Sequence, residues 1–176
     1  MKKIKNILLA SILTMSAFTA TIMTSCNPDA CKDVICSNGG TCTDGTCSCP
    51  SGYEGASCDT RTITKYLGSY VGNGTDDNGG VYTSWKLVIA QTDTTSTTNA
   101  TFVLLNSSNV QQLSFTGTIS SNGIISLDNK TTTNFLYTNG TGSVAVGSYA
   151  NLTFKESDNP GGTNPYVYTF NNMVKQ

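Results

Sequence analysis

The pattern of apolar and polar positions divides the chain into three stretches of different texture. From Ile7 to Met23 apolar residues dominate, preceded by Lys2, Lys3 and Lys5. A positive start followed by an apolar run is the layout of an export signal, so residues 1–25 read as a signal peptide removed from the mature chain. Ser11, Thr14, Ser16, Thr19 and Thr21 interrupt the run and leave it short of the roughly 20 strongly apolar residues that a permanent span needs. Residues 31–59 show almost no apolar periodicity, with Val34, Ile35 and Tyr53 as their sizeable apolar side chains. From Thr60 onward, apolar and polar residues alternate between clusters of Gly, Asn, Asp, Ser and Thr, the signature of antiparallel strands joined by turns.

Strands are predicted near 65–72, 81–91, 100–106, 112–119, 123–128, 133–138, 143–155 and 165–171. Alternation assigns their inward faces. Trp85, Leu87 and Ile89 share one face, as do Leu113, Phe115, Gly117 and Ile119, and Tyr166, Tyr168 and Phe170. From Val144 through Val146, Ser148, Ala150 and Leu152 to Phe154 every second residue is small or apolar, unless a turn at Gly147-Ser148 divides the strand. The expected fold class is all-β: a small disulfide-stapled module at 31–59, followed at 60–176 by an antiparallel β-barrel or sandwich of about eight strands.

Composition sharpens this picture. Charged residues make up 12% of the 176, and the formal net charge is −1, with no Lys/Arg run beyond the first five positions, so nucleic acid is not an expected partner. There are seven Cys. Six of them, Cys31, Cys36, Cys42, Cys47, Cys49 and Cys58, form an even set in a segment too small to bury a core, as in exported modules ordered by disulfides. Spacing alone leaves their pairing open. Zinc is the rival reading, but Cys47-Ser48-Cys49 is tighter than a usual zinc knuckle, and the chain has no His to complete a mixed site.

Three resemblances add to the residues themselves. The string Ile22-Met23-Thr24-Ser25-Cys26 resembles a bacterial lipoprotein box. It lacks the usual Leu, but its Thr-Ser-Cys form is similar to that of Bacteroidetes lipoproteins. The resemblance implies lipidation of Cys26 with diacylglycerol and palmitate-like chains, residues 26–30 being the lipidated N-terminus and linker. The competing reading keeps Cys26 as a free thiol or an intermolecular disulfide partner. Each buried methylene contributes about 0.8 kcal/mol, and stable anchoring takes two chains or more.

The run from Cys31 to Cys58 resembles an EGF-like module over its whole length, through Cys31-x4-Cys36, Ser37-Asn38-Gly39-Gly40-Thr41-Cys42, the Cys47-Ser48-Cys49 pair, Gly52-Tyr53 and Gly55. That resemblance implies the pairings Cys31–Cys42, Cys36–Cys47 and Cys49–Cys58. Asn38-Gly39-Gly40 and Asp44-Gly45 supply turns that need positive φ. A calcium-binding version is not expected, because Ala30 stands where an acid or amide belongs and no aromatic lies between Cys42 and Cys47; Asp29 and Asp33 read as solvated acids. Beyond the module, Tyr66-Leu67-Gly68-Ser69-Tyr70 and Gly140-Thr141-Gly142 resemble the lipocalin-like (calycin-like) β-domains of Bacteroidetes lipoproteins, which implies a small barrel and no particular activity.

Candidate chemistry is sparse. Without His the commonest general base is missing, and no Ser-x-x-Lys string offers a substitute. Asp76 and Asp77, in Asn73-Gly74-Thr75-Asp76-Asp77-Asn78-Gly79-Gly80, read as a solvated hairpin turn rather than a paired-acid site. Glu54 and Glu156 are the only Glu residues and fall in different domains. The stripe Tyr166, Tyr168 and Phe170 reads as core, with an aromatic platform for sugar rings as the other possibility. The expectation is therefore not an enzyme and no cofactor. It is a lipid-anchored lipoprotein of the bacterial cell envelope, at the outer membrane, held to the membrane through Cys26. The EGF-like module acts as spacer, and the β-domain binds, adheres or supports through an unidentified protein, glycan or small-molecule partner. A carrier of a small apolar ligand inside the barrel is the alternative, and a hydrolase with Asp76, Asp77 or Asp158 converging in a cleft is the less favoured one.

Overall fold

The computed structural model describes residues 30–158 and 165–176, so the expected signal peptide, Cys26 and Asp29 lie outside the described residues. The N-terminal module contains two small hairpins: β1 (Thr41–Thr43) with β2 (Thr46–Ser48), and β3 (Tyr53–Glu54) with β4 (Thr60–Arg61). Asp44 and Gly45 turn the first at φ 49° and 80°, the left-handed conformation that a two-residue hairpin loop requires. Disulfides join Cys31 to Cys42, Cys36 to Cys47 and Cys49 to Cys58. Within residues 31–59 only Gly52 and Cys58 are buried.

A short 3₁₀ helix (Thr62–Tyr66) leads into the larger domain. Its strands are β5 (Gly68–Asp76), β6 (Val81–Gln91), β7 (Asn99–Leu105), β8 (Gln111–Ile119), β9 (Ile124–Leu127), β10 (Lys130–Thr131), β11 (Phe135–Val144), β12 (Tyr149–Asp158) and β13 (Tyr166–Lys175). Two-residue β10 pairs only with β11 and stands outside the ring, leaving eight of the sheet's nine strands in it. Every strand of the ring is antiparallel to its neighbours, β9 meets β11 directly, and β13 closes on β5. The result is an up-and-down eight-stranded barrel, which removes the sheet edges a sandwich would expose.

Bulges bend the strands to close it, and asparagine supplies several of them. Asn139 (φ 52°) and Asn172 (φ 51°) adopt left-handed backbone where the register of β11 and β13 shifts. Asn151 Oδ1 accepts a hydrogen bond from the Asn172 backbone N–H at 2.7 Å, and Asn73 Oδ1 accepts from Ser84 N–H at 3.0 Å. Part of the Asn-rich composition thus satisfies backbone groups that the bulges free from the ladder.

The barrel interior is filled. Tyr70, Phe102, Phe154, Phe170, Leu87, Leu152 and Met173 are each at most 1% exposed. Glycines on the inner face make the room: a methyl group on Gly74 would collide with the Phe170 ring, and one on Gly140 would stand 2.6 Å from Leu127. One end is plugged by the 3₁₀ helix, whose Ile63 and Tyr66 are buried. The Tyr66 hydroxyl donates to the Ser121 carbonyl and the Tyr70 hydroxyl to the Tyr66 carbonyl, both at 2.7 Å.

Two expectations need correction, and one left open is resolved. The first barrel strand starts at Gly68 and runs to Asp76 instead of 65–72, because Thr62–Tyr66 coil into the plug. The alternative left open at 143–155 holds: a turn at Gly147-Ser148 divides the stretch, with Val144 ending β11 and Tyr149 opening β12 around Gly147 at φ 65°. Val146, read as inward, therefore sits in that turn and is 59% exposed.

Candidate functional site

The meander places the two ends of the barrel under different regimes. Strands β5, β7, β9 and β12 run from the plugged end toward the other mouth, and the turn at Asp77–Gly80 lies at that mouth. There the filled interior gives way to a half-open cup of about 210 Å³. Its wall is mostly aromatic: Trp85 and Tyr82 from β6, Tyr168 and Phe170 from β13, Phe154 from β12 and Tyr137 from β11. Cross-strand register explains the convergence. Gly74 is paired with both Tyr82 and Phe170, Phe154 with Tyr168, and Tyr137 with Glu156, so inward positions of neighbouring strands stack at the same level.

The rings form one continuous surface. Tyr82 meets Trp85 edge-on with centroids 5.1 Å apart, Tyr82 and Tyr168 lie 5.7 Å apart, and Tyr168 stacks on Phe154 at 5.1 Å. These separations fall in the range where aromatic pairs attract beyond simple area burial.

Two carboxylates complete the cup and its rim. Asp76 Oδ2 accepts from the Tyr82 hydroxyl at 2.6 Å, while its Oδ1 accepts from the backbone N–H groups of Asn78 and Gly80. The Tyr82 bond, followed by that from Gly80, holds the Asp76 carboxyl below its ordinary value. Glu156 Oε1 accepts a long 3.4 Å bond from Tyr168, and Tyr137 is the cross-strand partner of Glu156 on β11. Burial first, and these carboxylates second, push the Tyr82 and Tyr137 phenols well above their ordinary values, so both keep their protons. Burial likewise raises Tyr168.

The other acids singled out in the sequence are dispersed. Asp77 Oδ1 accepts from the Val167 N–H at 2.9 Å, Asp158 ends β12, and Glu54 pairs with Lys65 at 2.8 Å on the far side of the plug. Among the described residues, no group of three His, Cys, Asp or Glu side chains is placed to hold a metal ion. Alternation singled out Trp85, Tyr168 and Phe170, but Tyr82 and Tyr137 escaped it. The signal for Tyr82 was its odd spacing from Trp85, which a bulge at positive-φ Ser84 converts into a shared face. Tyr166, grouped with Tyr168 in the sequence, is 39% exposed at the start of its strand.

At the plugged end the barrel meets the EGF-like module. The Arg61 guanidinium donates to the Thr94 and Ser96 carbonyls at 2.5 and 3.2 Å and to Gln91 Oε1 at 3.1 Å, all in or beside the β6–β7 connection. Gly52 packs against the Thr97 side chain, leaving no space for a Cβ.

Residues 31–61 match the family model of the Teneurin-like EGF domain. Over 37 residues the chain is 54% identical to a protein described as neurogenic locus notch homolog protein from Giardia intestinalis (strain ATCC 50803 / WB clone C6); the match covers 19% of this chain and 6% of that protein. The chain thus corresponds to a small fraction of that relative's length. No solved structure matches the chain. The molecule is an EGF-like domain followed by an eight-stranded antiparallel barrel.

Proposed function

We propose that this protein is a lipid-anchored component of the bacterial cell envelope, at the outer membrane, in which the EGF-like module is a stiff foot and the barrel a non-enzymatic binding head. The observation that carries this reading is the asymmetry of the barrel. Its plugged end is tied to the foot through Arg61, and its aromatic cup opens at the other end of the strands. An acyl group on Cys26 lies before the foot in the chain, which leaves the cup as the part presented away from the membrane. Binding rather than catalysis is favoured by the chemistry of the cup. Its phenols are held protonated, Asp76 is engaged by Tyr82 and two backbone N–H groups, and the sequence contains no His to act as base.

A Cys26→Ser chain tests the anchor. Loss of acyl labelling and release from the membrane fraction are expected, whereas unchanged partitioning would refute it.

The carrier reading takes a narrower form. The filled interior leaves about 210 Å³ at the mouth, below the roughly 300–1,000 Å³ of pockets that take drug-sized ligands. A carried ligand would therefore insert one end rather than disappear inside. Lauric acid serves as the probe: saturable quenching of Trp85, the only Trp of the chain, supports a carrier, and its absence opposes one.

A further inference from the structure

We propose that the mouth of the barrel binds an organic ammonium cation, a methylated or quaternary amine group seated against Trp85, Tyr82 and Tyr168 with the Glu156 carboxylate as its counter-charge. The inference rests on reading the barrel as a binding head, and is independent of the lipid anchor.

Charge is the first argument. Glu156 lines the cup and Asp76 stands beside it through Tyr82, yet no Lys or Arg is among the lining residues. The hydrogen bond that Glu156 accepts comes from the Tyr168 phenol, which brings no positive charge to the carboxylate. A neutral or anionic ligand would meet that charge across an apolar wall, whereas a cation neutralises it.

Ring geometry is the second. A cation is attracted to the face of an aromatic ring from within about 6 Å of its centroid, Trp being the best partner. Trp85, Tyr82 and Tyr168 follow one another at 5.1 and 5.7 Å with planes inclined by 69° and 45°, which makes a concave surface that a rounded methylammonium group can touch at several points. A sugar ring prefers one flat platform and free hydroxyl donors. Here the Tyr82 and Tyr168 hydroxyls already donate to carboxylates. Those same bonds draw electron density into the phenol rings and strengthen their pull on a cation. Size is the third argument, since about 210 Å³ accommodates a trimethylammonium group together with a short alkyl stem.

The chemistry fits either a free small amine or a phosphocholine headgroup. The test uses the full chain and reads Trp85 fluorescence, with calorimetry as a second readout. The probes are choline, phosphocholine, and dimethylbutanol, in which a tert-butyl group replaces the trimethylammonium. Choline is expected to give a saturable change, and the neutral analogue of the same shape to bind about tenfold more weakly or worse, as loss of a desolvated cation–π contact implies. Glu156→Gln should weaken choline by about tenfold and leave dimethylbutanol unchanged, an outcome that damage to the fold would not produce. A preference for choline over phosphocholine identifies a free amine as the source, and the reverse identifies a headgroup; either supports the ammonium site. Equal binding of choline and dimethylbutanol would overturn the proposal and return the cup to an apolar ligand. A saturable response to N-acetylglucosamine without one to choline would overturn it in favour of a glycan. Both of those results leave the binding reading standing, so the two failures are distinguishable. Silence with choline in both readouts overturns the ammonium proposal outright.

Discussion

The EGF-like module and the barrel solve the same problem in opposite ways. Residues 31–59 bury only Gly52 and Cys58, and even Ile35 is 83% exposed, so three disulfides supply the order that a core would otherwise give. The barrel contains no disulfide and is held by a continuous interior of aromatic and aliphatic side chains between a plug and a cup. One part constrains the unfolded chain and the other rewards the folded one. The division suits a foot and a head: a stapled foot tolerates exposure, while a packed head can hold aromatic rings at fixed separations around a ligand.

The largest expected effect breaks the head alone. Phe102 is fully buried opposite Phe115, and Phe102→Ala should destabilise the barrel by about 3–5 kcal/mol through lost burial and the cavity left behind. Denaturant unfolding followed by Trp85 fluorescence measures it, and the disulfides of the foot should still form. The converse experiment removes one staple. Replacing Cys36 and Cys47 together by Ser should cost the module about 2–5 kcal/mol, seen as lost amide protection in residues 31–59, while the Trp85 transition keeps its midpoint.

Next in size comes the fit of glycine to ring. Gly74→Ala places a methyl group into the Phe170 ring, an overpacking worth about 1–3 kcal/mol, and should also deform the cup that Phe170 helps to line. Arg61→Ala acts on the joint rather than on either part. Global stability should fall by about 1 kcal/mol, since one of these hydrogen bonds is exposed and the other two are only part-buried. The sharper readout is amide relaxation, which should show the foot and the head tumbling more independently.

The smallest effect is electrostatic. Asp76 ionises below its ordinary value in the folded chain because Tyr82 and backbone N–H groups stabilise the carboxylate. Its contribution is therefore present above the unfolded value, near pH 4, and fades as the pH falls through the folded one. Tyr82→Phe should raise the Asp76 pKa toward that ordinary value and shrink this acid-side component, as a carboxyl titration by NMR would record.

How much of this could be read in advance differs between the two regions for the same reason that their stabilities do. The module's information is local: Cys spacing and Gly turns lie within 28 residues and resemble a known family. In the barrel, alternation located β6 at 81–91 and the inward Leu87, Ile89, Phe115, Phe154 and Phe170, because burial imposes a period of two. It failed where a bulge or a tight turn resets the period. Asn139 at positive φ carries β11 past 138 to Val144, and alternation alone does not choose between one strand at 143–155 and the two that the turn through Gly147 makes. Asn73–Asp76 belong to β5, the hairpin turn itself being Asp77–Gly80, and Asp76 also accepts from Tyr82. The cup was invisible for a related cause. It is assembled from five strands whose mutual level is set by cross-strand register, which no single stretch of sequence encodes.

The division into foot and head is tested most directly by mapping backbone amide shifts across the full chain as choline is added. The account predicts perturbations at Asp76, Tyr82, Trp85, Glu156 and Tyr168, with residues 31–59 unmoved. Perturbations centred on the EGF-like module, with the mouth of the barrel silent, would contradict it.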